Sequence, residues 1–188
     1  MHWSCCQIAD FSGESLQQLY AQLSPSRKEY IHRLRRTEDR TRSLAAELLV
    51  YRLLQEHYTI TGAQLHRKST GQPYLTGCDL YVSISHCDDR VACVLSRNPV
   101  GIDIERIHPI TPSLCRRVCV DAELAYLQIQ QEEDYRDPAV MHRFFEIWTA
   151  KEAYFKKHGT GITDLKSVNI LPLQRHIHTF GDYILQIL

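Results

Sequence analysis

Val100-Gly101-Ile102-Asp103-Ile104-Glu105 is the stretch from which the fold is read. On a β-strand, side chains alternate between the two faces. Ile102 and Ile104 then point into a core, and Asp103 and Glu105 stand side by side on the opposite face. Two neighbouring carboxylates repel unless a positive charge lies between them. A hard divalent cation such as magnesium, which prefers oxygen ligands, meets that need. A strand with a solvated acidic face fits the same residues, so the stretch does not choose alone.

Working toward the C-terminus, Pro109 and Pro112 bracket a loop, and helical patterns follow near Ser113 to Gln130 and Pro138 to His158. The polar, acidic run Gln130 to Asp134 separates them, and His158-Gly159-Thr160-Gly161 stops the second. That second helix carries Trp148-Thr149-Ala150-Lys151-Glu152-Ala153-Tyr154-Phe155-Lys156. Residues four apart share a helix face, which puts Trp148, Glu152 and Lys156 in one row. Glu152 is a candidate third carboxylate for a metal held by Asp103 and Glu105, and Lys156 stands one turn away as a phosphate contact. A plain Glu–Lys pair along the helix is the alternative. Ser167 to Leu171 and Tyr183 to Ile187 read as strands.

Working toward the N-terminus, Asn98-Pro99 resets the chain. Val91 to Leu95 and Leu80 to Ser85 read as strands joined at Asp88-Asp89. Ser83-Ile84-Ser85-His86 ends a strand with hydroxyls and an imidazole, groups that can hold a phosphate; a lone loop histidine is the plainer reading. Lys68-Ser69-Thr70-Gly71-Gln72-Pro73 offers a cation and small residues beside a turn, and it equally suits an ordinary hairpin. Leu65 to Lys68 is a strand. Ser24 caps a helix with Pro25 at its first position, and the helical pattern runs on to about Tyr58, with Leu44, Leu48, Tyr51 and Leu54 as one buried stripe. Glu14 to Leu23 is a further helix and Trp3 to Ile8 a strand. The order of elements implies two similar α+β halves meeting near Pro99: residues 1–98, with the long helical segment and the first strands, and residues 99–188, with the paired carboxylates and the Trp148–Lys156 helix.

Lys plus Arg and Asp plus Glu both total 22, so bulk charge selects no partner. Charge is uneven, however. Arg27, Lys28, Arg33, Arg35, Arg36, Arg40 and Arg42 face only Glu29, Glu38 and Asp39 in their segment, which suits an anionic ligand or an acidic partner. Aromatic interleaving and a basic pI are both missing, which argues against nucleic acid. No apolar run approaches a membrane span, and Met1-His2-Trp3-Ser4 lacks signal-peptide character, so a cytoplasmic setting is expected. The seven cysteines have no zinc or disulfide spacing and are expected as buried thiols. Glu123, in the helix after the Pro109–Pro112 loop, reads as a solvated glutamate or a reserve base. Leu114, Val118 and Leu124 read as core or as apolar anchors for a partner, flanked by Arg116 and Arg117.

Taken together, VGIDIE at Val100 to Glu105, WTAKEAYFK at Trp148 to Lys156, SISH ending at His86, the TGQP turn and RRTEDRTRSLAAELL resemble the two-lobed 4′-phosphopantetheinyl transferases, from Ser24 to about Gly161. The resemblance implies two pseudo-symmetric α/β halves with an active site in the cleft between them. It implies a monomeric enzyme that moves phosphopantetheine from coenzyme A to a serine of an acidic apo acyl or peptidyl carrier of fatty-acid, polyketide or nonribosomal peptide synthesis, with Mg2+ as cofactor. Asp103, Glu105 and Glu152 would be the metal ligands, and Glu152, Lys156 and His86 the catalytic residues. Ser85, His86 and Lys156 would contact phosphates, and Arg27, Ser43, Lys68, Gly71, Gln72 and Pro73 the nucleotide. Gln72 stands where the family often has lysine. Tyr30 falls near its second helix lysine, leaving Arg33 to compensate. A non-catalytic coenzyme-A- or carrier-binding module and a magnesium-dependent phosphoanhydride hydrolase are the competing expectations.

Overall fold

The structure is a computed structural model that describes residues 1–188. The chain divides into two compact units, Met1–Val100 and Gly101–Leu188. Each builds a three-stranded antiparallel sheet on one long helix, the α+β mix read from the sequence.

In unit 1, β1 (His2–Gln7), β4 (Tyr81–Cys87) and β5 (Arg90–Ser96) form a sheet in the order β1-β5-β4, and β2 (Gln64–Arg67) pairs with β3 (Pro73–Thr76) as a separate hairpin. Three helices complete it: α1 (Gly13–Gln22), α2 (Pro25–Arg33) and α3 (Thr37–Tyr58). Ser12 and Ser24 cap α1 and α2 by accepting the Ser15 and Arg27 amides, and Pro25 opens α2. The single helix expected from Pro25 to Tyr58 is two helices. Arg40 donates to the Leu34 and His32 carbonyls at the end of α2, satisfying acceptors that a continuous helix would have satisfied with its own amides.

Helix α3 is apolar on two faces. Ala45, Ala46, Leu49, Val50, Leu53 and Leu54 pack on Val82, Ile84, Val91, Cys93 and Leu95 of the sheet. Leu44, Leu48 and Tyr51, from the stripe read in the sequence, are partly buried against Leu19, Leu23 and Ile31 of α1 and α2. The helix is therefore the middle layer of three, and the stripe expected to be its buried face is the shallower of the two.

In unit 2, β6 (Ile102–Arg106), β7 (His176–Phe180) and β8 (Tyr183–Ile187) form a sheet in the order β6-β8-β7. Helices α4 (Pro112–Val118), α5 (Asp121–Leu127) and α6 (Pro138–His158) surround a core of Val118, Leu127, Val140, Phe144, Ile147, Ile170 and Ile184. Two expectations need correction here. The helix from Ser113 to Gln130 is broken at Cys119 and Val120, because the Glu123 carboxylate accepts the Val120 amide and Lys151 takes the Val118 carbonyl. Ser167 to Leu171 is not a strand, since the Ile170 amide is spent on Glu123 instead of a neighbouring chain. The strand that the sequence did not mark is β7, which pairs with β8 on the edge away from β6, with Phe180 opposite Tyr183 and His176 opposite Ile187.

All seven cysteines are free thiols, but only Cys93, Cys115 and Cys119 are buried; the other four are half-buried on strands and turns. Burial pushes the Cys115 thiol up to about 11 and the Cys119 thiol to about 12, which keeps them unreactive. No helix is long and apolar enough to cross a membrane.

Candidate functional site

Strand β6 runs antiparallel to β8, with Asp103 opposite Gln186 and Glu105 opposite Ile184. Ile102 and Ile104 are fully buried, as the alternation requires; Asp103 is also fully buried and Glu105 partly so. What brings this strand to α6 is Gly101. A Cβ placed there would lie 1.8 Å from the Ala153 carbonyl oxygen. Only a residue without a side chain lets β6 begin against the helix backbone, one residue from Glu152.

That approach gathers the charged row. Lys156 Nζ lies 2.6 Å from Asp103 Oδ1. Burial first, then the negative charges of Asp103 and Glu105, push the Glu152 carboxyl up to about 7, against the pull of Lys156. Glu152 thus feels both strand carboxylates, which is the clustering of like charge that a divalent cation relieves. The donor set is all hard oxygen and suits magnesium. As the side chains stand, no three His, Cys, Asp or Glu residues form a group ready to hold an ion, and Lys156 is the cation on Asp103. Holding a metal requires the three acids to converge further. Trp148, in the same row, is partly buried, and its Nε1 is sealed without a hydrogen-bond partner.

In unit 1, Ser85 is buried and His86 exposed at the end of β4. They alternate faces: Ile84 and Val82 face α3, and Ser83 and Ser85 face the other way. The segment Lys68 to Pro73 is the β2–β3 hairpin turn. The Lys68 amide donates to the Gln72 carbonyl and the Gly71 amide to the Lys68 carbonyl, with Gly71 at a φ of 85°. Lys68 Nζ donates to Gln72 Oε1 at 2.8 Å, so the Gln72 amide engages the cation of the turn. Arg27 is 9% exposed. Its Nε donates to Glu47 Oε2 at 2.7 Å and its Nη2 to Ser43 Oγ at 2.9 Å, so two of the expected nucleotide residues, Arg27 and Ser43, are in direct contact.

Much of the basic segment is engaged within the unit. Lys28 donates to the Ala21 carbonyl, Arg33 pairs with Glu29, and Arg42 binds Asp39 and the Asp88 carbonyl. Arg35 and Arg36 are exposed. Arg67, from β2, lies over the Tyr30 ring at 5.6 Å from its centroid.

A family model described as 4′-phosphopantetheinyl transferase superfamily matches residues 99–183, and one described as 4′-phosphopantetheinyl transferase, N-terminal, matches residues 10–98. The chain belongs to the 4′-phosphopantetheinyl transferase superfamily. It is 34% identical to 4′-phosphopantetheinyl transferase gsp of Aneurinibacillus migulanus over 77% of this chain and 59% of that one. It is 28% identical to 4′-phosphopantetheinyl transferase Sfp of Bacillus subtilis over 81% of this chain and 67% of that one, and 28% identical to 4′-phosphopantetheinyl transferase HetI of a Nostoc species, over 82% and 67%. The chain thus spans about three fifths to two thirds of the length of these superfamily relatives.

Within the superfamily motif WTAKEAYFK, Lys151 has no role legible from spacing alone, and it is fully buried. Its Nζ lies 2.7 Å from Glu123 Oε2 and donates to the Val118, Leu165 and Val168 carbonyls. Glu123, also fully buried, accepts the Val120 and Ile170 amides. Glu123 is therefore neither a solvated helix glutamate nor a reserve base; it is the anion of a saturated internal ion pair. Val118 is core, and Leu114 and Leu124 are partly buried against it, while Arg116 and Arg117 are exposed.

Proposed function

We propose that this chain transfers the 4′-phosphopantetheine arm of coenzyme A to a serine hydroxyl of an acidic apo acyl or peptidyl carrier protein, in a magnesium-dependent reaction set in the cytoplasm. The serine oxygen forms a bond to the β-phosphorus, the pyrophosphate bridge breaks, and 3′,5′-ADP leaves with the electron pair. The observation that carries this reading is Glu152 beside Asp103 and Glu105, with Lys156 on Asp103.

A magnesium ion held by Asp103, Glu105 and Glu152 would supply charge neutralisation on the phosphate oxygens. The chain's own residues position and stabilise. Lys156, at the end of α6, turns from Asp103 to a phosphate oxygen and balances charge that develops on the leaving group. Glu152 receives the serine proton. His86 and Ser85 donate to the pyrophosphate, and Arg27, Ser43 and the Lys68–Pro73 turn hold the nucleotide.

Incubation of the protein with coenzyme A, magnesium and candidate apo carriers, followed by mass spectrometry, tests this. A carrier that gains one phosphopantetheine, matched by 3′,5′-ADP, is expected. Release of 3′,5′-ADP without a carrier would identify a hydrolase, and coenzyme A binding with no reaction would identify a binding module.

A further inference from the structure

Gln186 on β8 is fully buried and stands directly opposite Asp103 on β6, so the two side chains share the sheet face that meets α6. The amide is pinned. Its Nε2 donates to the Glu146 carbonyl and, at 3.0 Å, to Thr149 Oγ1, and the Thr149 proton is already given to the Phe145 carbonyl. Both partners of Nε2 are therefore acceptors, and turning the amide over would set oxygen against oxygen. This fixes Oε1 on the side away from them, where it is sealed from solvent with no hydrogen-bond partner.

A buried carbonyl without a donor is a costly group to retain. Its neighbours on this face do not supply one. Ile184 lies two residues back along β8 and Ile177 stands opposite on β7; both are apolar. Asp103, when ionised, only accepts. The missing donor has to arrive with something that binds. Thr149 is three residues before Glu152 on α6, so the same amide touches the helix one turn from the third carboxylate.

We propose that Gln186 is a positioning residue for the divalent ion: its Oε1 accepts a hydrogen bond from a water that the ion carries. Magnesium held by carboxylates keeps several waters, and each is a donor in search of an acceptor. Groups that hold the outer shell of a metal in this way commonly change its affinity by about 10–100-fold. Gln186 touches no substrate atom; it orients the hydrated ion from β8 and, through Thr149 and Glu146, ties that strand to α6. This rests on the reading of Asp103, Glu105 and Glu152 as the metal ligands.

Gln186→Met keeps the length of the side chain and removes the amide. In a manganese titration followed by electron paramagnetic resonance and referred to the folded fraction, this variant should bind Mn2+ about tenfold or more weakly than the wild type. Nuclear magnetic resonance supplies a direct readout: Mg2+ should shift the Gln186 side-chain amide resonances in the wild type and leave them in place in Asp103→Asn. Urea unfolding in EDTA measures the structural part separately. Lower stability of Gln186→Met with wild-type Mn2+ affinity would show that the amide merely ties β8 to α6, and would overturn the proposal. Amide resonances that ignore Mg2+ in a wild type that binds Mn2+ would do the same, and both results leave the transferase reading intact. A wild type that binds no Mn2+ would instead remove the metal site, and the role of Gln186 with it.

Discussion

Gly101 and Ala153 are in backbone contact: the space a side chain at residue 101 would fill is already held by the Ala153 carbonyl, with a Cβ–oxygen distance of 1.8 Å. This contact joins the strand bearing Asp103 and Glu105 to the helix bearing Glu152. A carbonyl inside a helix cannot swing away as a flexible side chain can, so Gly101→Ala must push β6 off α6. We expect it to destabilise the protein by about 3 kcal/mol and to lower metal affinity more than the fold loss explains. Chemical denaturation and a divalent-cation titration on the folded fraction check this.

The ion pair between Lys151 and Glu123 is fully buried at both ends. Lys151→Met leaves the Glu123 carboxylate buried and unpaired, and should cost about 3–5 kcal/mol. Glu123→Met with Lys151→Met removes both charges but also strips the Val120 and Ile170 amides and three carbonyls of their partners. The double variant should therefore recover only part of the loss, as measured by urea unfolding. Full recovery would mean that the backbone contacts contribute nothing.

The raised Glu152 proton affinity makes the stability of the metal-free protein depend on pH. Burial and the neighbouring carboxylates push its carboxyl up to about 7 in the folded chain, above the ordinary 4.5 of a free glutamate. Between those values the folded state keeps a proton that the unfolded state has released, so stability falls as pH rises through that window. In EDTA, Glu152→Gln should be more stable than the wild type at pH 8 by about 1–3 kcal/mol, with the gap closing toward pH 4.5. Parallel melting curves at both pH values would contradict this.

Arg116 and Arg117 are exposed near the end of α4, on the unit that carries the acids. If an acidic carrier docks there, Arg116→Glu with Arg117→Glu should raise the carrier KM at least several-fold and leave coenzyme A affinity unchanged. Steady-state kinetics with each substrate varied separates the two effects.

The strands and helices nearest the chemistry were legible because their signals are local. Alternation marks β6, and Gly159, with a φ of 67°, ends α6 where the sequence placed the stop. Unread features depend on contacts between distant residues. The breaks at Leu34 and Cys119 arise because Arg40, Glu123 and Lys151 take over backbone groups from elsewhere in the chain. Nothing near Glu123 in sequence shows that its partner is Lys151. Strand β7 was missed because His176, His178 and Thr179 alternate too weakly in polarity, and only pairing with β8 defines it. At the site, the row of Trp148, Glu152 and Lys156 followed from helical spacing, but the approach of Arg67 to Tyr30 joins a strand to a helix 37 residues earlier.

Manganese titration followed by electron paramagnetic resonance tests most directly whether Asp103, Glu105 and Glu152 share one divalent ion. The wild type should bind a single Mn2+ that Mg2+ displaces, and Asp103→Asn and Glu152→Gln should each weaken it by at least tenfold. Wild-type affinity in either variant would contradict a shared ion.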